Sequence, residues 1–363
     1  MNSLRLLLLP FSFLYGCITY VRNRLFDFNI LRSTSFPFPI ISVGNLTTGG
    51  TGKTPHVDYL VRLLLKDKNL AVLSRGYGRK SKGFVLATAT ATAAEIGDEP
   101  KQFQTKFADL TVAVCEDRVA GAKALVAAIP GTEVLLLDDA FQHRYIQAGL
   151  SILLIDYKDV FHRNYILPAG SLREFASGSN RADLLIVTKT PEMFSAQEQH
   201  HALQKIAPLP HQQLFFSYIK YGDPIAPWRQ EASAQTLDFY KINNYSVLIL
   251  SGIARPAPFL EHIKKYCEVS ETAIFPDHHD FSPKEIQAVK KRFSHIQNPN
   301  KILLTTEKDA MRLLSSGAAL LEGIPIYYIP IEIGFHAGGE SAFKKSIFSY
   351  LAENFKAQHH AHL

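Results

Sequence analysis

With 363 residues, 47% of them hydrophobic and 20% charged, the chain has the make-up of a globular protein and excludes a disordered or fibrous one. Single cores stop growing near ~250–300 residues, so this length favours two domains. The formal charge of +6 points to anionic partners, whether phosphate esters, nucleic acid or an acidic membrane face. Cys17, Cys115 and Cys267 lie far apart, with no CxxC or His/Cys ligand spacing. That excludes a disulfide framework and a structural zinc site, and it fits a reducing cytosolic compartment.

The chain opens on an uncharged run from Leu6 to Val21, with Arg5 before it and Arg22 and Arg24 after. A spanning helix takes about 20 apolar residues. This run is shorter, interrupted by Pro10 and diluted by Ser12, Tyr15, Gly16, Thr19 and Tyr20. Its outline also imitates a secretory signal, and Leu14-Tyr15-Gly16-Cys17 imitates a lipoprotein cleavage site. The segment Gly49-Gly50-Thr51-Gly52-Lys53-Thr54 further along has the form of a nucleotide-binding loop and argues against export, because ATP is scarce outside the cytosol. Residues 1–35 are therefore read as a helix in the membrane interface, aromatics and leucines down, arginines toward anionic headgroups. The alternative is a buried first helix of the domain.

Past Pro37-Phe38-Pro39, the run Ile40-Ile41-Ser42-Val43 predicts a short strand, and Pro55 to Lys66 predicts a helix with Val57, Leu60, Val61, Leu64 and Leu65 on one face. Between them lies Thr47-Thr48-Gly49-Gly50-Thr51-Gly52-Lys53-Thr54. In a phosphate-binding P-loop, glycines let backbone N–H groups turn inward around phosphate oxygens, and the helix N-terminus adds its positive dipole end. Lys53 would reach the β- and γ-phosphates of ATP, and the Thr54 hydroxyl would bind Mg²⁺. Thr47 stands where the general GxxxxGK[ST] pattern has glycine.

Further apolar runs at Leu70–Ser74, Leu110–Val114, Val134–Leu137, Ser151–Ile155 and Asp183–Val187 alternate with helical or loop stretches. Such a series implies α/β architecture, a parallel sheet with helices on both faces. Val134–Leu137 ends in Asp138-Asp139, as the metal-organising strand of a P-loop protein should. Asp138 is placed to organise Mg²⁺. Asp139 is placed to share the metal, its water shell or the acceptor. Gly97-Asp98-Glu99-Pro100 offers two more carboxylates, Arg75, Arg79, Arg118 and Arg173 offer cations for phosphate oxygens, and His143 and His278 could orient or polarise groups. From Pro191 to Tyr240 the pattern weakens. A second series then runs through Tyr245–Leu250, Lys301–Thr305 and Ile324–Ile329. The expected organisation is an N-terminal membrane-associated helix over 1–35, a P-loop kinase domain over 36–235 and a smaller α/β domain over 236–363.

Taken in order, these segments closely resemble the tetraacyldisaccharide 4′-kinase family. The resemblance is carried by Ser42–Leu46 with Gly49–Pro55, by Leu73–Arg79, by Gly97–Pro100 and by Asp117-Arg118. It continues through Leu137–His143, Leu167–Glu174, Phe275–His279 and Thr305–Asp309. It implies transfer of the ATP γ-phosphate to the 4′-hydroxyl of a tetraacylated glucosamine disaccharide 1-phosphate, a step of lipid A biosynthesis. It also implies peripheral or monotopic association with the cytoplasmic face of the inner membrane. The family's catalytic aspartate matches Asp98 and its partner histidine matches His278, with His279 an adjacent candidate. Asp138, Asp139 and Glu174 would serve the metal or acceptor side, and Lys53, Arg118 and Arg173 would counter phosphate charge.

A membrane-associated P-loop ATPase switch is the rival reading. Its distinguishing lysine would fall where this chain has Thr48. Nucleic-acid binding would need a clustered basic stripe with interleaved aromatics, and the basic residues here are scattered.

Overall fold

The computed structural model of the protein describes residues 7–162, 164–227, 234–277, 279–316 and 318–361. The strands of the first half are β1 (Ile40–Asn45), β2 (Leu70–Ser74), β3 (Val85–Leu86), β4 (Thr111–Val114), β5 (Val134–Asp138), β6 (Leu150–Asp156) and β7 (Leu184–Thr188). Those of the second half are β8 (Gln213–Tyr221), β9 (Ser246–Ser251), β10 (Glu268–Ile274), β11 (Lys301–Thr306), β12 (Ile326–Ile329) and β13 (Ile331–Phe335). Nine of them form one sheet in the order β13-β8-β7-β6-β1-β5-β2-β4-β3. Pairing from β8 through β4 is parallel, and only the edge strands β3 and β13 run antiparallel.

Strands covered on both faces need apolar side chains at every position, which is why β1, β2, β5 and β7 are continuous apolar or small runs. Successive side chains alternate between faces. Ile41 and Val43 pack with Val57, Leu60 and Val61 of the helix Lys53–Leu64. Ile40 packs with Leu73, Leu135 and Leu125 on the other face.

The strand order reverses at β1, which sits between β6 and β5. In an open parallel sheet, that reversal leaves a crevice beyond the carboxyl ends of the strands. Val43 pairs with Asp138, so the glycine-rich turn after β1 and the acid pair after β5 open on the same edge.

A second sheet, β10-β9-β11-β12, is parallel throughout. Leu248, Leu250, Leu303, Val289 and Phe293 fill one of its faces. Val247, Ile249, Ile302 and Leu304 fill the other.

The chain does not remain with this sheet to its end, as a domain over 236–363 required. β13 pairs with β8, and Phe343, Ile347 and Leu351 of the helix Gly339–Ala361 pack against Ile41, Leu136 and Ile152. The large sheet recruits these residues because its Ile41 face needs a further apolar cover. β8 also falls in the stretch 191–240, where the sequence pattern weakens.

The N-terminal helix, Leu9–Asp27, is neither a simple interface helix nor a simple core helix. Ser12, Gly16 and Phe26 are buried, and a Cβ on Gly16 would lie 2.9 Å from the Phe175 ring. Leu7, Phe11, Phe13, Leu14, Ile18 and Val21 are exposed. Among the described residues, no helix is long and apolar enough to cross a membrane.

Candidate active site

The turn after β1 needs glycine for its shape at two points, Gly49 (φ +116) and Gly52 (φ +88). Gly50 has no such dihedral, and a Cβ there would meet nothing within 4 Å. The protein's own packing therefore makes no demand for glycine at 50, whereas a ligand approaching the backbone would. Thr47 and Thr48 anchor the entry side of the turn. Thr47 bridges to Leu172, and the Thr48 N–H and hydroxyl both donate to the Ser171 carbonyl. Thr54 is buried in the first turn of the following helix.

Facing the turn is the acid pair of β5. Asp138 is buried, its Oδ2 accepting from Ser74 Oγ at 3.1 Å, while its Oδ1 has no hydrogen-bond partner. Burial first, then Glu99 and Asp139, outweigh Lys53 and Ser74 and push the Asp138 carboxyl up to about 7. Asp139, just past the end of β5, adopts a left-handed backbone (φ 48) that few non-glycine residues take. Arg173 grips it with two bonds, Nη1 to Oδ1 at 2.7 Å and Nη2 to Oδ2 at 3.1 Å, and Lys53 Nζ lies 3.6 Å from Oδ2. Burial pushes the Asp139 carboxyl up, but Arg173, Lys53 and Arg118 together hold it below the ordinary carboxylate value. Lys53, Asp139 and Arg173 are thus brought together beside Asp138.

Two other expected members sit differently. Arg118 is 2% exposed, and its guanidinium donates to the carbonyls of Cys115 and Asp138. Burial brings it down to about 10. Its Nη1 and Nη2 thus tie to backbone at the end of β5, while Nε is buried with no hydrogen-bond partner. Glu174 is buried and accepts from Asn23, Gln142 and Arg181. Its carboxylate ties the N-terminal helix to the site loop, a role the metal-ligand expectation did not foresee.

Asp98 opens the helix Asp98–Lys106, placed there by a close backbone contact. A Cβ on Gly97 (φ +92) would come within 3.0 Å of the Tyr77 carbonyl. The second lobe reaches it through Arg312, which donates Nε and Nη2 to Asp98 Oδ2 at 3.0 Å each. Lys308 pairs with Glu99 at 3.3 Å, and Lys106 lies between Asp58 and Glu307. His278 lies outside the described residues. His279 is bonded to Glu285 at 3.0 Å and stacked on Phe275, so its ring is engaged within its own lobe.

A family model described as tetraacyldisaccharide-1-P 4′-kinase matches residues 4–351. The chain belongs to the tetraacyldisaccharide-1-P 4′-kinase family. A Bacteroides thetaiotaomicron tetraacyldisaccharide 4′-kinase is 45% identical, with 96% of this chain and 93% of the relative covered. A Flavobacterium johnsoniae tetraacyldisaccharide 4′-kinase is 44% identical, with 98% and 100% covered. Among solved structures, the apo form of Aquifex aeolicus LpxK in complex with ATP superimposes with a TM-score of 0.74. It is 31% identical, with 96% of this chain and all of that one covered.

Membership makes this chain a kinase, and its residues can be tested against the groups a kinase needs. Asp138 Oδ1 is a buried carboxylate oxygen with no hydrogen-bond partner, a donor of the kind that fits a cation. Among the described residues, no cluster of three His, Cys, Asp or Glu side chains is spaced to hold a metal. Three residues that no sequence motif singles out lie against these groups. Arg312 is a buried cation three residues after Asp309. Lys189 follows the apolar run of β7 and contacts the Gly50 carbonyl. His56 is buried one turn into the helix after the glycines.

Proposed function

We propose that the glycine-rich turn Thr47–Thr54 is the ATP phosphate-binding loop of an enzyme that phosphorylates the 4′-hydroxyl of a tetraacyldisaccharide 1-phosphate. The kinase activity in lipid A biosynthesis follows from family membership; the loop, the named residues and the exact acceptor are our reading. The observation that supports it most is the meeting of Lys53, Asp139 and Arg173 at the carboxyl edge of β1 and β5, beside the partnerless Asp138 Oδ1. Lys53 and Arg173 are the cations for donor and transferring phosphate oxygens, and Asp139 orients both until ATP enters. Thr54 and Asp138 are the residues that would hold Mg²⁺, which when bound neutralises charge on the donor phosphates.

Asp98 is assigned as the group that takes the proton from the acceptor hydroxyl, with His278 its partner from the second lobe. A carboxylate suits this task because transfer needs positioning and a nearby base more than covalent chemistry. Arg312 supports the assignment by fixing the direction of the Asp98 carboxylate through Oδ2.

The exposed face Leu7, Phe11, Phe13, Leu14, Ile18 and Val21 is assigned to the membrane interface, on the cytoplasmic face where ATP is available. The same helix is bound to the site through Asn23 and Glu174 at 2.5 Å, so an acceptor lipid drawn from the bilayer would arrive beside Arg173-Glu174.

The test is incubation with labelled ATP, Mg²⁺ and acylated disaccharide 1-phosphate in detergent. Label in the lipid is expected. ATP hydrolysis with no labelled lipid would instead favour a P-loop ATPase switch.

A further inference from the structure

Three consecutive carbonyls of the glycine turn are each held by a side chain. Lys189 Nζ donates to Gly50 O. Thr188 Oγ1 donates to Thr51 O at 2.8 Å. His56 Nδ1 lies 2.7 Å from Gly52 O. All three donors come from the large domain: Thr188 and Lys189 from the end of β7, His56 from the helix that the turn starts.

A trans peptide is planar, with its C=O and N–H pointing in opposite directions. Fixing the carbonyls of Thr51 and Gly52 therefore fixes the N–H groups of Gly52 and Lys53 on the opposite side of the loop. The Thr51 N–H closes the tight turn onto Gly49 O at 3.0 Å. The donors are themselves fixed. His56 is fully buried and its Nε2 lies 3.1 Å from Ser217 Oγ of β8, so both ring nitrogens are used. Since Gly52 O can only accept, Nδ1 carries the proton, and Nε2 accepts from the serine. Lys189 pairs with Asp156 Oδ2 at 3.1 Å, and the same oxygen receives Arg255 of the second lobe at 2.9 Å.

We infer that Thr188, His56 and Lys189 form an outer brace that sets the direction of the donor-binding amides, making them positioning residues for the ATP phosphates. The brace rests on the reading of Thr47–Thr54 as the donor site. It also explains why Lys189 takes a left-handed backbone (φ 56): the twist at the end of β7 turns its side chain back toward the glycines. Without the brace, the turn's glycines are free to rotate their peptides, and preorganisation for an anion is lost.

The test compares Thr188→Val with Thr188→Ser. Valine keeps the shape and the strand preference but removes the donor; serine keeps the donor. For Thr188→Val the KM for ATP is expected to rise about tenfold, the upper scale of one neutral hydrogen bond. The KM for the lipid acceptor and the melting temperature are expected to stay near wild type, and Thr188→Ser to restore ATP affinity to within about twofold. Lys53→Met run in parallel separates the two claims. If Lys53→Met abolishes ATP binding while Thr188→Val leaves it unchanged, the brace is wrong and the donor site stands. If Lys53→Met leaves ATP binding intact, the donor-site reading itself fails. Loss of fold in Thr188→Val moves the test to Ser217→Ala, which removes the hydroxyl that holds His56 Nε2, along with its long bond to Val187 O at 3.5 Å. An unchanged ATP KM in that variant, with the fold retained, overturns the brace as well.

Discussion

Arg312 places both Nε and Nη2 on one oxygen of Asp98, at 3.0 Å each, across the meeting of the two lobes. The guanidinium is 4% exposed, and it also donates to Gly252 O and Asp309 Oδ1 at 3.1 Å. A buried cation held by this many acceptors cannot move without disturbing its whole lobe, so it fixes Asp98 in direction as well as position.

Replacing Asp98 with asparagine removes a proton acceptor but keeps its size. Phosphoryl transfer is expected to fall by about 10²–10⁴, the usual contribution of a general base, with ATP affinity retained. Loss of nucleotide binding would reassign Asp98. Arg312→Lys, which keeps the charge without the fork, is expected to lower kcat by up to about a hundredfold through misplacement of Asp98, with the KM for ATP unchanged. Equal kcat in wild type and Arg312→Lys contradicts a positioning role.

The buried Asp138 oxygen makes a prediction about the metal. In Asp138→Asn, the Mg²⁺ concentration for half-maximal transfer is expected to rise by more than about tenfold, since one anionic ligand is lost. A Mg²⁺ dependence identical to wild type removes Asp138 from the metal.

The exposed face of the N-terminal helix can be tested without deleting it, which matters because its polar face is bound into the site. Leu14 and Ile18 are each 60% exposed, so a double change to glutamate should leave the melting temperature unchanged. Partitioning to anionic vesicles is expected to drop by more than about tenfold, since each buried aliphatic side chain is worth about 1.5–3 kcal/mol. Unchanged partitioning places the membrane contact elsewhere.

Burial, reinforced by Arg118 and Arg75, pulls His143 from the ordinary 6.5 down to about 4. The unfolded chain therefore binds the proton first on acidification, and stability rises with pH across that window. Stability present above about pH 6.5 is expected to be lost as the pH falls toward 4. His143→Gln should flatten this part of the curve in thermal melts between pH 7 and 4.5. A slope as steep as wild type means that other groups carry it.

The parallel core was legible because strands buried on both faces leave no choice but apolar residues: β2 appears in the sequence with its observed limits, Leu70–Ser74. Edge strands escape this rule. β10 reads Glu-Val-Ser-Glu-Thr-Ala-Ile and β13 only five residues, and β13 finds its partner β8 more than a hundred residues earlier. Nothing local announces such a pairing. The acid pair and the glycine turn were legible because their chemistry sits in contiguous residues. Arg312 and Lys189 are single residues brought there by tertiary packing, and His56, though local to the turn, is a single histidine that no motif marks. The one available signal was a cation or histidine inside an otherwise apolar face, as with Arg312 beside Ala310 and Leu313. Arg118 and Glu174 carried the opposite lesson, since a charged residue beside a site is often consumed by backbone carbonyls or a neighbouring helix.

The central claim is that this site joins ATP to a lipid hydroxyl. Its most direct test is to supply γ-labelled ATP and the acylated disaccharide 1-phosphate, then locate the label in the isolated lipid by NMR. Label is expected on the 4′ oxygen, mole for mole with ATP consumed, and none with Lys53→Met. Phosphate on any other hydroxyl, or ATP consumed with no label in the lipid, would contradict it.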